Sequence, residues 1–296
     1  MAYKAGFVAL VGRPNVGKST LLNALLGRKV AIATPKPQTT RNRIVGIVHR
    51  PDGQLILLDT PGIHRAQHKL GQRMNQTARL TAREADLIWH IVDISRPPNE
   101  EDRWAASLCR QSQIPTWLIG NKSDLVADAA AGLAPYQELM GYQAHWIISA
   151  AQEIGLTDLV ERTFEVLPEG VPYYPEDMVT DQSEDFYVSE VIREHVLELT
   201  REEIPYSVAV VVEERTLRRP DLTYIRATIY VERDGQKAIV IGDGGRMLKQ
   251  IGERARQDLE EYYGHRVFLD LWVKVREKWR NEESWLRRLG YREPDK

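Results

Sequence analysis

The segment Gly12–Ser19, GRPNVGKS, restricts the possible folds of this 296-residue chain more than any other part of the sequence. It fits the pattern G-x-x-x-x-G-K-[ST], in which the backbone N–H groups of a glycine-rich loop surround phosphates at the N-terminus of a helix. The preceding run FVALV predicts a buried strand and the following STLLNALLG a helix. This context favours a phosphate-binding loop over an ordinary strand–loop–helix turn. The residues of this loop predicted to bind a nucleotide are Gly12, Asn15, Val16, Gly17, Lys18, Ser19 and Thr20.

Alternation of short apolar runs with helix-like segments continues over roughly the first 165 residues and predicts a mostly parallel sheet covered by helices. One connection differs, because RIVGIVHR and QLILLD are joined by the tight turn Pro51–Gly53. Strands joined in this way pair antiparallel. The predicted fold class of this part is therefore α/β, a P-loop domain with one antiparallel strand.

The segment DTPG, residues 59–62, follows a buried strand and predicts the place where the last phosphate is sensed. Asp59 can hold Mg²⁺, usually through water, together with Ser19, and the Gly62 amide can bond the γ-phosphate. Lys18 is expected to reach the β- and γ-phosphates. The next residue, Ile63, stands where many GTP-hydrolysing switches have a glutamine that orients the attacking water. We therefore expect slow hydrolysis, with charge from Lys18, Mg²⁺ and the loop amides stabilising the transition state.

The segment NKSD, residues 121–124, predicts the base specificity. Asp124 can accept hydrogen bonds from guanine N1–H and the exocyclic N2, and adenine offers neither donor, so ATP should be rejected. Asn121 is expected to bridge loops, and the Lys122 stem to cover the base. Ser149 and Ala150, after the run HWII, are expected to supply a backbone amide near guanine O6. The ligands implied are GTP and GDP.

The polar, proline-containing segment TPKPQTTRNR, residues 34–43, predicts a loop that orders when a threonine joins the Mg²⁺ shell. Thr40 is the preferred ligand and Thr39 the alternative. Arg41 and Arg43 are interpreted as residues of a solvated loop, and neither is taken as an arginine finger. Lys18, Thr40 and Gly62 are the residues predicted to take part in catalysis.

The proline-rich acidic stretch between residues 167 and 185 predicts a linker. We expect a G domain over residues 1–168, the linker over 169–184 and a second domain over 185–296. Helical and strand patterns in the second domain follow the order α-β-β-α-α-β, which predicts a smaller α+β module. Its first two strands, YSVAVVVEE and LTYIRATIYVERD, are expected to be joined by the loop RTLRRPD.

The chain carries GRPNVGKSTLLNALLG, QTTRNRIVGI, DTPGIH, NKSD and SA, and near its end VIGDGGRMLKQIG and LDLWVKVREKW. In this combination it resembles the Era family, Ras-like bacterial GTPases of ribosomal small-subunit assembly. The resemblance covers essentially the whole chain. It implies a cytoplasmic monomer whose partners are the 3′ end of 16S ribosomal RNA and the 30S subunit, with possible weak association with the inner face of the cell membrane. Related GTPases hold K⁺ with a P-loop asparagine, and Asn15 is at the matching position, although bonding within the loop is an equal alternative.

The resemblance also implies that the C-terminal module is a type II KH domain with its GxxG loop at Gly242–Gly245. In such domains the loop lets a nucleic-acid backbone approach closely. Asp243 should repel phosphate, and Arg246 and Lys249 should offset that repulsion. Base stacking and helix packing remain open for Trp279 and Trp285. The predicted RNA-binding residues are Ile241, Gly242, Asp243, Gly244, Gly245, Arg246 and Lys249.

Composition and charge further restrict the class of protein to which the chain can belong. The net charge of −2 means that a basic RNA-binding surface must be local, and the single cysteine, Cys109, excludes an internal disulfide framework. No apolar run approaches the roughly 18 residues of a membrane span. Two further functions were weighed: an RNA scaffold with a structural nucleotide, and a membrane-signalling GTPase.

Overall fold

The structure is a computed structural model that describes residues 2–291. The first part of the chain alternates strands and helices, as the apolar pattern predicts. Its elements are β1 (Lys4–Val11), α1 (Lys18–Leu26), β2 (Ile44–Arg50), β3 (Gly53–Asp59), α2 (Lys69–Glu84), β4 (Leu87–Asp93), α3 (Glu100–Ser112), β5 (Thr116–Asn121), a short 3₁₀ turn (Ser123–Leu125), α4 (Ala129–Gln137), β6 (Ala144–Ile147) and α5 (Leu156–Val166).

These strands form one six-stranded sheet in the order β2-β3-β1-β4-β5-β6. Only β2 and β3 pair antiparallel, and the other neighbours are parallel. The predicted fold class is therefore confirmed, including the antiparallel strand. Because β1, β3, β4 and β5 run in the same direction, their carboxyl ends meet along one edge, where ligands of open α/β sheets bind. That edge carries the P-loop, DTPG and NKSD.

The second module follows the predicted order, with one further short helix before its first strand and another at its end. Its elements are α6 (Glu184–Leu199), α7 (Ile204–Ser207), β7 (Ala209–Arg219), β8 (Leu222–Val231), α8 (Asp234–Ile241), a 3₁₀ turn (Asp243–Gly245), α9 (Arg246–Tyr263), β9 (Arg266–Val275), a 3₁₀ turn (Trp279–Asn281) and α10 (Glu283–Arg288). The sheet order is β7-β8-β9, with β7 antiparallel and β9 parallel to β8.

The expected loop RTLRRPD was assigned wrongly. Strand β7 continues through it to Arg219, so that only Pro220 and Asp221 form the turn. Two register shifts, between Val212 and Glu214 and between Leu217 and Arg219, let the strand absorb extra residues and still pair with β8. The arginines in this stretch did not argue against a strand, because an exposed edge strand accommodates charged side chains.

Residues 169–184, which we retain as the proposed linker, follow the antiparallel side of the first sheet. The Ile47 amide donates to the Val179 carbonyl at 2.9 Å, and the buried Gln54 side chain accepts from the amides of Tyr173 and Tyr174. Tyr174 and Met178 also pack on the apolar residues of β2 and β3. The segment is thus held on the first module by specific contacts.

The two modules are in contact through a shared apolar cluster. Leu70 and Met74 on α2 pack with residues of the second module and of the C-terminal segment, namely Ala209, Tyr230, Trp279, Leu286 and Tyr291. Trp279 is fully buried and its indole N–H donates to the Ser207 carbonyl at 2.8 Å. Of the two alternatives, Trp279 therefore packs and does not present its ring to a base. No helix among residues 2–291 combines the length and apolarity needed to cross a bilayer.

Candidate functional site

The P-loop wraps around a cavity of about 410 Å³ between the start of α1 and the loop before β2. Gly17 has φ +98°, and a Cβ there would lie 2.3 Å from Asn121 Nδ2, so glycine is required both by conformation and by space. The Lys18 ammonium donates to the carbonyls of Gly12 and Arg13 at 3.2 and 3.0 Å. Among the predicted residues, those lining the cavity are Asn15, Gly17, Lys18, Ser19, Thr20, Thr39, Thr40 and Gly62.

Two buried charges face this cavity without touching one another directly. Burial lowers the pKa of Lys18 to about 8, although Asp59 opposes the shift. Burial raises the pKa of Asp59 to about 6, although Lys18 and a hydrogen bond from Ser19 oppose it. Charges held in a low-dielectric site without a full set of partners are costly unless a ligand completes them. A phosphate beside Lys18 and a cation beside Asp59 would do so.

The oxygens of Ser19, Thr40 and Asp59 converge. The Ser19 hydroxyl donates to Asp59 Oδ2 at 2.7 Å and lies 2.8 Å from the Thr40 hydroxyl, and Asp59 Oδ1 is buried with no hydrogen-bond partner among the described residues. Oxygen donors of this kind suit Mg²⁺, so these residues fit the ion. Thr39 instead bonds Thr34 and the Lys36 carbonyl. Of the two threonines, Thr40 is therefore the one that lies with Ser19 and Asp59.

Gly62 and Ile63 meet the P-loop from the other side. A Cβ on Gly62 would lie 2.6 Å from the Pro14 nitrogen, so only glycine allows this approach. The Ile63 amide donates to the Gly12 carbonyl at 3.2 Å, while its side chain is buried in an apolar cluster with Val11 and Ile88. Ile63 is thus a core residue, and its side chain has no group that can orient water.

The base-recognition residues lie together at the ends of β5 and β6. Asn121 bridges loops as predicted: its Nδ2 donates to the Val16 carbonyl at 2.8 Å, and its Oδ1 accepts from the Ala150 amide at 2.9 Å. The Ser149 hydroxyl donates to Asp124 Oδ1 at 2.5 Å. A backbone amide of Ser149 or Ala150 is predicted near guanine O6; the Ser149 amide donates to the Ile154 carbonyl at 3.1 Å, which leaves the Ala150 amide to consider. In this structure it is engaged by Asn121, because the amide side chain turns toward both neighbouring loops.

A network of charged side chains connects the NKSD segment with the P-loop. The sequence motifs did not predict this network. Lys122 Nζ lies 2.7 Å from Asp93 Oδ2, and Arg13 reaches Asp93 at 3.6 Å and Asp102 at 3.1 Å. Asp102 also closes the N-terminal capping box of α3 with Asn99. Burial alone would raise the pKa of Asp93, but hydrogen bonds from Lys122 and Ser95 outweigh it and hold that pKa below its usual range. Arg13 occupies a variable position of the P-loop pattern, so the pattern gave it no weight.

The prediction of a solvated Arg41 was wrong. Its guanidinium is buried and donates to three carbonyls of the second module, those of Val208 at 2.6 Å, Pro205 at 3.0 Å and Tyr206 at 3.3 Å. These carbonyls lie in and just after the short helix α7, where helical carbonyls lack partners and the helix dipole attracts a cation. Arg43 behaves as predicted: it stays partly exposed and pairs with Glu84 at 3.2 Å.

Three glycines of the GxxG loop in the second module adopt backbone conformations that other residues rarely adopt. Gly242, Gly244 and Gly245 all have positive φ, between 58° and 80°. The exposed Asp243 carboxylate lies 3.2 Å from the Arg246 guanidinium. The charge of Asp243 is therefore already opposed within the loop, as predicted.

The helices on both sides of this loop provide apolar and polar groups. Ile251 is fully buried in the core, whereas Ile239 is 52% exposed on α8 and Ile241 is partly exposed. Lys249 is exposed, with its nearest carboxylate, Glu253, at 3.8 Å. The sequence does not show which of these isoleucines belong to the hydrophobic core and which line the RNA-binding groove. The structure places Ile251 in the core and Ile239 on the surface beside the loop.

Comparison with known proteins agrees with both modules. A family model described as 50S ribosome-binding GTPase matches residues 7–122, and a KH domain model matches residues 203–280. The chain is 46% identical to GTPase Era of Carboxydothermus hydrogenoformans, over 99% of each chain. It is 45% identical to GTPase Era of Heliobacterium modesticaldum, over 98% of each chain.

Two solved structures match nearly the whole chain, each with a TM-score of 0.93. One is Era in complex with MgGDPNP and nucleotides 1506–1542 of 16S ribosomal RNA, 39% identical, covering 98% of this chain and 99% of that one. The other is an Aquifex aeolicus Era variant bound to GDP·AlF4⁻, 38% identical, covering 97% and 99%.

Proposed function

The chain belongs to the Era family of GTPases, and from this premise we propose that its nucleotide state controls how its KH domain binds ribosomal RNA. It hydrolyses GTP to GDP and uses Mg²⁺. The proposed RNA is 16S ribosomal RNA near its 3′ end, and the proposed role is assistance to assembly and maturation of the 30S subunit by a cytoplasmic monomer. The related Era bound to nucleotides 1506–1542 supports this choice of RNA.

One observation carries the proposal of nucleotide control: the loop that holds the predicted Mg²⁺ ligand also forms part of the contact between the modules. Thr40 lies beside Ser19 and Asp59 in the nucleotide site. Its neighbour Arg41 is buried against carbonyls of the second module, and the Thr39 carbonyl accepts a hydrogen bond from Arg193 on α6. Loss of the γ-phosphate releases such loops in GTPases. A change at Thr40 therefore has a short path to the KH domain.

The proposed catalytic roles follow from the charges of the site. Lys18 is held in place by two carbonyls of its own loop and directs its ammonium group toward the cavity. Such fixed positive groups stabilise the charge that develops on transferring phosphoryl oxygens. The Gly62 amide is proposed to contact the γ-phosphate. Bound Mg²⁺ supplies further charge neutralisation, with Ser19, Thr40 and Asp59 as the residues that hold it. Since Ile63 is buried and apolar, we propose a low intrinsic rate of hydrolysis.

The test is RNA affinity in two nucleotide states. RNA corresponding to nucleotides 1506–1542 is titrated at one fixed salt concentration with protein loaded with GDP or with GDPNP. We expect at least about 5-fold tighter binding with GDPNP, in the usual range of coupling between sites. The variant Gly245→Asp, which adds a side chain and a charge to the loop, should abolish binding in both states. Equal affinities for wild-type protein would refute nucleotide control, and unchanged binding by Gly245→Asp would refute the KH loop as the RNA site.

The potassium proposal concerns Asn15, whose Nδ2 donates to the Pro35 carbonyl at 2.6 Å and whose backbone has φ 64°. This leaves its amide oxygen as the candidate ligand for K⁺ near the phosphates. We expect wild-type protein to hydrolyse GTP several-fold faster in KCl than in NaCl at equal ionic strength. Asn15→Ala should lose that ratio. Equal rates for wild-type protein in the two salts would exclude the binding of K⁺ by Asn15. The role of Asn15 would then be the hydrogen bond that joins the P-loop to the loop before β2.

A further inference from the structure

We propose that the open face of the second sheet is an additional surface for single-stranded RNA, next to the GxxG loop. This surface, called the sheet platform below, consists of Arg218 on β7, Tyr224 on β8, and Phe268, Trp272 and Lys274 on β9. The proposal rests on the proposed function, since it assigns more of the same RNA to a second part of the KH domain.

Alternation along β9 separates a core face from an open face. Val267 and Val273 are buried against the helices, together with the partly buried Leu269 and Leu271. The intervening side chains point the other way, and Phe268 and Trp272 are 58% and 56% exposed. Large aromatic side chains are costly to leave in water, so two of them on one strand mark a surface that is covered in the working protein.

The rings of the sheet platform differ in exposure: Tyr224 is buried beside Phe268 and Arg218, whereas the rings of Phe268 and Trp272 are open to a base. Tyr224 and Phe268 are cross-strand neighbours, with ring centroids 5.8 Å apart and planes inclined by 19°. The Arg218 guanidinium lies 3.6 Å from the centre of the Tyr224 ring. Trp272 lies four residues further along the same face as Phe268, about 13 Å away at the usual rise of a strand. Exposed aromatic rings beside arginine are the means by which proteins hold unpaired bases.

This face carries charges of both signs, and two of its cations have no acidic partner. The carboxylates of Asp270 and Glu213 accept from the hydroxyls of Tyr224 and Tyr230 at 3.2 and 3.3 Å, and Glu214 pairs with Arg226 at 3.2 Å. Within residues 2–291, no carboxylate lies at ion-pair distance from Arg218 or Lys274, which are therefore available to phosphates. The core of a protein–protein interface is depleted of charge, whereas here Arg218 lies over Tyr224 and charged side chains of both signs surround Trp272. RNA is therefore the better match.

The sheet platform is continuous with the loop region. Strand β9 is the edge of its sheet and packs against α8 and α9, the two helices that flank the GxxG loop. An RNA strand leaving that loop can cross the free edge of β9 and reach Phe268 and Trp272. A KH loop holds about four nucleotides, far fewer than nucleotides 1506–1542 bound by the related Era. An RNA of that length has many nucleotides outside the loop that can reach a neighbouring surface.

The experiment compares two RNAs, one of about 6 nucleotides that fills only the loop groove and one corresponding to nucleotides 1506–1542. Full-length wild-type protein, Phe268→Ala and Trp272→Ala are titrated with each by fluorescence anisotropy in GDPNP. Each variant should bind the long RNA about 5- to 100-fold more weakly, the range for loss of one stacked base. Neither should change binding of the short RNA, which also shows that the KH domain remains folded. Trp272→Phe should restore most of the affinity.

Controls separate this proposal from the one on which it rests. Tyr173→Ala removes an aromatic ring of similar exposure, 52%, on the other module and should leave both RNAs unaffected. Gly245→Asp should abolish binding of both. If Gly245→Asp does so while Phe268→Ala and Trp272→Ala bind the long RNA as well as wild type, the sheet platform is refuted and the KH loop stands. If Gly245→Asp changes nothing, the proposed function fails first.

Discussion

Asp124→Asn is expected to weaken GTP binding by about three orders of magnitude and to shift the preference of the protein to xanthosine triphosphate. The carboxylate is predicted to accept from guanine N1–H and N2, and an asparagine amide would set its own NH₂ against the exocyclic NH₂. Sites built to bond a polar group reject a mismatched ligand by large factors, because buried groups are left unpaired. Xanthine has a carbonyl at that position, which the asparagine NH₂ can satisfy.

The structure allows a sharp version of this experiment. Ser149 already donates to Asp124 Oδ1 at 2.5 Å, and an asparagine Oδ1 can keep that bond, so the side chain should retain its orientation. Dissociation constants for GTP and XTP are measured by calorimetry. The matched control is Asp128→Asn, which alters a nearby carboxylate that caps α4 by accepting from the Ala131 amide. Unchanged GTP affinity in Asp124→Asn would mean that the base is recognised elsewhere.

Much of the nucleotide site was predictable because its parts are local motifs on a regular sheet. The P-loop, DTPG and NKSD each follow a buried strand, and the carboxyl ends of parallel strands share one edge. The antiparallel pairing of β2 with β3 was predictable from the short turn Pro51–Gly53 that joins them. Ser19, Thr40 and Asp59 were predicted as one set from their motifs, and the structure brings their oxygens together.

Other features depend on partners distant in sequence, which local patterns do not register. Arg41 has a typical loop context, and its burial is caused by carbonyls more than 160 residues later in the chain. Arg13 likewise finds Asp102 at a separation of 89 residues. The extension of β7 to Arg219 depends on its pairing with β8, which the sequence of β7 alone does not show.

Arg41→Ala is expected to remove most of the coupling between nucleotide state and RNA binding. The guanidinium satisfies three buried carbonyls and lies 5.9 Å from the centre of the Trp279 ring. Alanine would leave those carbonyls unpaired, at about 1–3 kcal/mol for each that stays buried. We therefore expect the interface between the modules to open, lowering the free energy of unfolding by about 3 kcal/mol. The ratio of RNA affinities with GDPNP and with GDP should fall toward one.

Denaturant unfolding and RNA titration in both nucleotide states measure these two effects. Arg43→Ala is the matched control, because Arg43 lies in the same loop but forms only an exposed pair with Glu84. It should leave both the stability and the affinity ratio near wild type. If Arg41→Ala lowers stability but keeps the ratio, the loop does not transmit the nucleotide state. The next connections to test would then be the apolar contacts of Leu70 and Met74 on α2 and the ion pairs of Lys29 with Glu194 and Asp258.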